Sequence, residues 1–342
     1  MSETIYYLGA GASVGKRDNN GDILEGIPVV SEIPERFDAF RETISKEAVP
    51  EGDINFWDLF RTNSYSVQQA KQRLLKDIDD LIIGIKEHAT IDTFARKLYL
   101  TQNLTEFEIL KDVLCVYFLW EQIEHKPDNR YDTFLANVLE MANLNLPHDI
   151  SILSWNYDSQ IEQAYRAYGK GKGLIVYEKN TERRWPNLTE YGRIIKLNGR
   201  ASLDDSPIIH AILNDNRLPL ALQLIIIYSH IHIDTSEMGF QFKNHLSFAW
   251  EDAKYKDNWL GTISNTIKDT KQVVVIGYSF PFFNRDLDRL IFGNMPKLQR
   301  VYIQDKNTKA VMQAINAVLP ATLSVETIPI DDCGQFFLPG EL

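Results

Sequence analysis

The chain has 342 residues, 44% apolar and 24% charged, enough to bury the core of one large domain or two modest ones. Its net charge of −11 argues against a generic nucleic-acid binder, though it leaves room for a local basic patch. Cys115 and Cys333 stand too far apart in the sequence for a disulfide framework or a cysteine-built zinc site, and the longest apolar run, Leu218 to Tyr228, is interrupted by Pro219 and Gln223. A cytoplasmic protein with no signal peptide and no membrane span is expected.

The chain opens on Ile5-Tyr6-Tyr7-Leu8 followed by Gly9-Ala10-Gly11-Ala12-Ser13. This predicts a short buried strand turning sharply into a helix. Glycine at 9 and 11 removes the Cβ atoms that would keep a backbone off a pyrophosphate, and Ser13 is expected to cap the helix whose N–H groups face that anion. The glycines at 9, 11 and 15 miss the usual dinucleotide spacing by one residue, so an ordinary tight turn stands beside the phosphate reading. Residues 16–25 read as a polar loop, either a lid over a nucleotide or a plain surface loop. After Gly26-Ile27-Pro28, Ser31 is expected to cap a helix reaching Phe40.

From about 32 to 145 nearly everything has helical spacing. Val67 to Lys86 carries a stripe of Leu74, Ile78, Leu81 and Ile85; Thr105 to Ile123 and Tyr131 to Met141 repeat it. These stripes read as the core of a helical subdomain, with Asp92 as a capping residue.

Strand patterns return at Ile150 to Trp155, which ends in Asn156-Tyr157-Asp158, and at Arg193 to Leu197, which ends in Asn198-Gly199. A cap explains one of Asn156 and Asp158, not both. Leu220 to Ile227 fits either a strand or a buried helix, and Phe248 to Ile267 reads as a helix. His230 and His232 would share a face if Ile231 were in a strand; without a third ligand nearby they read as surface histidines and no metal site is expected. Gln272 to Ile276 is the strongest strand, running into Gly277-Tyr278-Ser279-Phe280. Arg300 to Gln304 follows and ends in Asp305, suited to a ribose diol or to a helix cap. Thr322 to Ile328 gives a last strand.

Strands that end in Gly, Asn or Asp before a helix predict an α/β fold, a Rossmann-like open parallel sheet with ligands at its carboxyl edge. Residues 1–342 read as a single domain, with a helical insertion over about 32–145 between the first and second strands.

With these elements in order, the chain resembles the SIR2-like (sirtuin-related) family, closest to its bacterial branch of NAD-consuming anti-phage defence proteins. The segments that carry the resemblance are Gly9-Ala10-Gly11-Ala12-Ser13, Gly26-Ile27-Pro28, Trp155-Asn156-Tyr157-Asp158, Lys196-Leu197-Asn198-Gly199 and Gly277-Tyr278-Ser279-Phe280. Together they make 20 of the 342 residues, spread from one end of the chain to the other. The resemblance implies that Asn156 holds the nicotinamide ribose and the attacking water, with Asp158 in support. It assigns Gly9, Ala10, Gly11, Ser13, Pro28, Gly277 and Ser279 to the phosphates and ribose of NAD+, and Asp305 to the adenosine ribose.

One position departs from the pattern. The family usually has histidine where this chain has Asn198, and asparagine can hydrogen-bond a hydroxyl but cannot take its proton near neutral pH. The four-cysteine zinc module of the deacylase branch is also beyond two distant cysteines, which disfavours deacylation. The resemblance therefore implies hydrolysis of NAD+ to nicotinamide and ADP-ribose, in a homo-oligomer or alongside a HerA-type ATPase or other defence partner. The alternative is a non-catalytic sensor that binds NAD or ADP-ribose.

Overall fold

The computed structural model describes residues 3–49, 67–88, 90–169, 175–178, 193–201, 207–232, 244–251 and 256–340. The chain divides into two compact units: Met1–Val29, His125–Arg200 and Ser247–Leu342 form one, and Val30–Glu124 with Ala201–Leu246 form the other.

The first unit is built on a seven-stranded parallel sheet. Its strands are β1 (Thr4–Leu8), β2 (Ile150–Ser154), β3 (Ile175–Glu178), β4 (Arg193–Lys196), β5 (Gln272–Ile276), β6 (Arg300–Gln304) and β7 (Glu326–Ile330). They lie in the order β3-β4-β2-β1-β5-β6-β7, which makes the Rossmann-like α/β architecture and puts the opening strand at its centre. Every residue of β1, β2 and β5 is buried, as expected of parallel strands covered on both faces.

Alternate side chains feed two cores. Ile5, Tyr7, Leu153, Val273 and Val275 pack with Ile263, Phe292 and Ile315 from α9 (Lys256–Ile267), α10 (Arg285–Gly293) and α11 (Thr308–Ile315). Tyr6, Leu8, Ile152, Val274 and Ile276 pack with Phe134 and Ile161 from α5 (Asn129–Val138) and α6 (Gln160–Arg166). Several elements differ from the sequence reading. β3 was not expected, the last strand lies at 326–330 rather than 322–328, and α5 belongs with the sheet rather than with the helices before it. Pro329 is tolerated because β7 is an edge strand.

The second unit is helical. It contains α1 (Ile33–Lys46), α2 (Val67–Lys86), α3 (Ile91–Leu100), α4 (Leu104–Glu124), α7 (Pro207–Leu213) and α8 (Leu220–His232). Residues 110 to 120 of α4 are buried on every side, so this helix forms the unit's core. α8 packs on α1, α2 and α4, which is why its apolar run shows no period and the strand alternative fails. His230 lies on a helix rather than a strand, and it is buried rather than on the surface. Thr90, not Asp92, caps α3 by accepting the Thr93 amide at 3.2 Å. Glu32 rather than Ser31 holds the cap position of α1, and its side chain does not make the capping bond. Glu121, fully buried on α4, accepts two parallel bonds from Arg36 at 2.8 and 3.0 Å. No described helix is long and apolar enough to cross a membrane.

Candidate functional site

The parallel register aligns the carboxyl ends of the central strands. Lys196, Ser154, Leu8, Ile276 and Gln304 form the last paired row across the sheet. One or two residues beyond that row stand Asn198, Asn156, Gly9, Gly277 and Asp305. The connections of β1 and β5 run to opposite sides, so the topological switch point falls between these two strands.

At that point the two loops touch. Gly9 and Gly11 donate their amides to the carbonyls of Ile276 and Gly277 at 3.0 and 2.9 Å. A Cβ on Gly9 would meet the Gly277 carbonyl at 2.6 Å, and one on Gly11 would meet the Gly277 Cα at 2.7 Å. These glycines are therefore required by the approach of one backbone to another. The helix expected after them is not formed. A single 3-10 turn, Ala10–Ala12, ends at Ser13, and Gly15 with φ +60° sends the chain into the following loop. Ser13 thus caps no helix N-terminus.

Ser13 instead becomes a fully buried junction. Its Oγ lies 2.9 Å from the Tyr131 hydroxyl on α5 and accepts from Nδ2 of Asn156 at 3.0 Å. Its carbonyl accepts from Nε2 of Gln160 at 3.2 Å, and Oε1 of Gln160 accepts the Asp128 amide at 2.8 Å. The Asp128 carboxylate takes the Gly15 amide at 2.8 Å and pairs with Arg130, whose guanidinium also donates to the Gly11 carbonyl at 2.8 Å. The glycine turn is thus clamped from α5 and its cap.

Asp158 is buried beside this junction, and its carboxylate accepts the Gln160 amide at 3.0 Å. Burial pushes its carboxyl above the ordinary range. The Lys196 charge, the Gln160 amide and Ser13 oppose that rise, while Glu162 adds to it. Asn198 is joined through the next strand, its Nδ2 donating to the Trp155 carbonyl at 3.1 Å. That bond fixes the amide's orientation and leaves Oδ1 buried with no hydrogen-bond partner among the described residues.

The structure therefore brings together Ser13, Asn156 and Asp158, with Asn198 one strand away. Among the described residues, no hydrogen bond joins Pro28, Ser279 or Asp305 to that cluster. Pro28 is buried beside Ile27, whose amide reaches the Ser13 carbonyl at 2.8 Å. Ala10 is half-buried in the turn and Ser279 is exposed. Asp305 accepts the Asn307 amide at 2.8 Å, and Asn307, not Asp305, caps α11. Tyr278 lies stacked on Trp155, with centroids 5.6 Å apart, and donates to the buried Asp288 at 3.0 Å. Phe280, two residues on, holds a left-handed backbone at φ +52°.

Sequence reasoning missed Tyr131, Gln160, Asp128, Arg130 and Lys196. Lys196 alone carried a signal, a charge in the otherwise apolar run Ile194-Ile195-Lys196-Leu197. No group of three or more His, Cys, Asp or Glu among the described residues could hold a metal ion. A scan against protein-family models finds no match for this sequence, and neither does a search of curated proteins.

Proposed function

We propose that the chain is a SIR2-like NAD+ glycohydrolase that cleaves the nicotinamide–ribose bond to give nicotinamide and ADP-ribose. The observation that carries this reading is Asn198, whose Oδ1 is buried without a partner among the described residues while its Nδ2 is tied to Trp155. An unmet buried acceptor is unfavourable by about 1–3 kcal/mol, which a donor from a bound molecule would offset. A ribose hydroxyl is such a donor. Asn156 and Asp158 at the end of the adjacent strand supply the polar groups that hydrolysis of a nearby glycosidic bond needs.

The chemistry tolerates the absence of a base at Asn198. Nicotinamide leaves a pyridinium as a neutral molecule, so its departure needs no general acid. The oxocarbenium-like transition state is helped by positioning and by fixed dipoles. Asn156 orients the ribose and the attacking water, Asn198 accepts from a ribose hydroxyl, and the Asp158 carboxylate stabilises developing positive charge. A role as a defence effector, in an oligomer or with a HerA-type ATPase, rests on the sequence resemblance alone.

The same asparagine favours a second reading, a sensor that binds NAD or ADP-ribose without turning it over. Nicotinamide release from NAD+ by the purified protein, with Asn156→Ala in parallel, separates the two. Release that vanishes in the variant supports the glycohydrolase. Calorimetric binding of ADP-ribose without release supports the sensor, and neither release nor binding overturns both.

A further inference from the structure

Lys196 closes β4 at the last paired row and is only 1% exposed. Its ammonium donates to the main-chain carbonyl of Asp158 at 2.5 Å and lies 3.2 Å from Oε1 of Glu162 on α6, itself buried. A buried ion pair is often no more stabilising than apolar side chains of the same volume, because both charges lose their water. Stability is therefore a poor reason for a cation at this position. Its geometry offers a better one, since the atom it grips belongs to the turn that carries Asn156 and Asp158.

We propose that Lys196 is a positioning residue: it fixes the Asn156-Tyr157-Asp158 turn through the Asp158 carbonyl and sets a positive charge against the Asp158 carboxyl, with Glu162 moderating that charge. The groups around that carboxylate come from every side. Lys196 stands on β4, Glu162 on α6, Tyr131 on α5 and Ser13 on the loop after β1. Among the described residues Lys196 is the cation that acts on Asp158, and its charge opposes the effect of burial. The consequence for catalysis rests on the proposed reading of Asn156 and Asp158; the electrostatic role does not.

The test is a 13C NMR titration of the Asp158 carboxyl in the wild-type chain and in Lys196→Met, Lys196→Arg, Glu162→Gln and Lys196→Met/Glu162→Gln. Lys196→Met is expected to raise the midpoint by about one pH unit or more, a tenfold gain in proton affinity. Lys196→Arg should hold it near wild type and Glu162→Gln should lower it. Should Lys196→Met alone fail to fold, because it strands Glu162, the double variant removes both charges of that pair and should still show a smaller rise. A midpoint unmoved in both the double variant and Glu162→Gln overturns the proposal. Nicotinamide release is scored separately: a moved midpoint in a protein that releases none keeps the role of Lys196 and retires the hydrolase.

Discussion

Gly11 and Gly277 meet backbone to backbone. A Cβ built on Gly277 would lie 2.4 Å from the Gly11 carbonyl carbon. Gly277 also has φ +59°, a conformation unfavourable to an L side chain by about 1–2 kcal/mol before any clash. Gly277→Ala should therefore lose about 2–4 kcal/mol in a denaturant titration. A variant as stable as wild type would show that the two loops are free to part.

Asn198→His tests the missing base directly. Histidine loses its proton around pH 6.5, so nicotinamide release should acquire a dependence that rises through that region. A positioned base is worth about 10²-fold or more, and the gain should approach that above pH 7. Unchanged rate and pH profile would mean that this position does not face a reacting hydroxyl.

Removing Arg36 takes from the fully buried Glu121 carboxylate the guanidinium that gives it two hydrogen bonds. Arg36→Ala should destabilise the helical unit by about 2–3 kcal/mol, toward the low end for a broken buried pair because Arg36 still reaches water. The double variant Arg36→Ala/Glu121→Leu should recover much of that loss. Thermal melts of the three proteins measure the coupling.

Asp288 gives the molecule a pH response. Burial pushes its carboxyl up to about 7, even though Tyr7 and Tyr278 both donate to it. Between its ordinary value near 4 and that midpoint, the native state holds a proton that the unfolded chain has released. Stability should therefore fall as pH rises across this window, by up to about 1.4 kcal/mol per pH unit from this group. Asp288→Asn should remove that contribution, so the difference between the two stability curves isolates it. Parallel curves from pH 4 to 8 would show that Asp288 is ionised throughout.

The sequence was most readable where one face or one run is uniform. Val273–Ile276 is apolar between Gln272 and Gly277, and its strand ends where expected; α2 shows its buried stripe at every turn. α8 is apolar all round because α1, α2, α4 and α7 pack against it, so its sequence carries no period to distinguish helix from strand. Asn156, Asp158 and Asn198 stood out as polar residues at strand ends. Their supports did not, because Tyr131 looks like one more aromatic on a helical stripe and Arg130 like an ordinary surface charge. What makes Arg130 a clamp is its reach to Gly11, 119 positions away. Ser13 was placed at the right corner with the wrong task, since a serine before a helix and a serine at a buried junction read alike.

The central place of β1 has a bearing on how the chain is made. Thr4–Leu8 takes one neighbour from Ile150–Ser154 and the other from Gln272–Ile276. At ribosomal speeds of about 5–20 residues per second, the second neighbour is synthesised roughly 15–50 s after the first strand. During that interval one edge of a largely apolar strand has no native partner, and such edges invite pairing with other chains. The nascent protein is thus most exposed to misassembly at the strand on which its finished sheet is centred, and a chaperone that shields the first ten residues would have its greatest effect before residue 276 emerges.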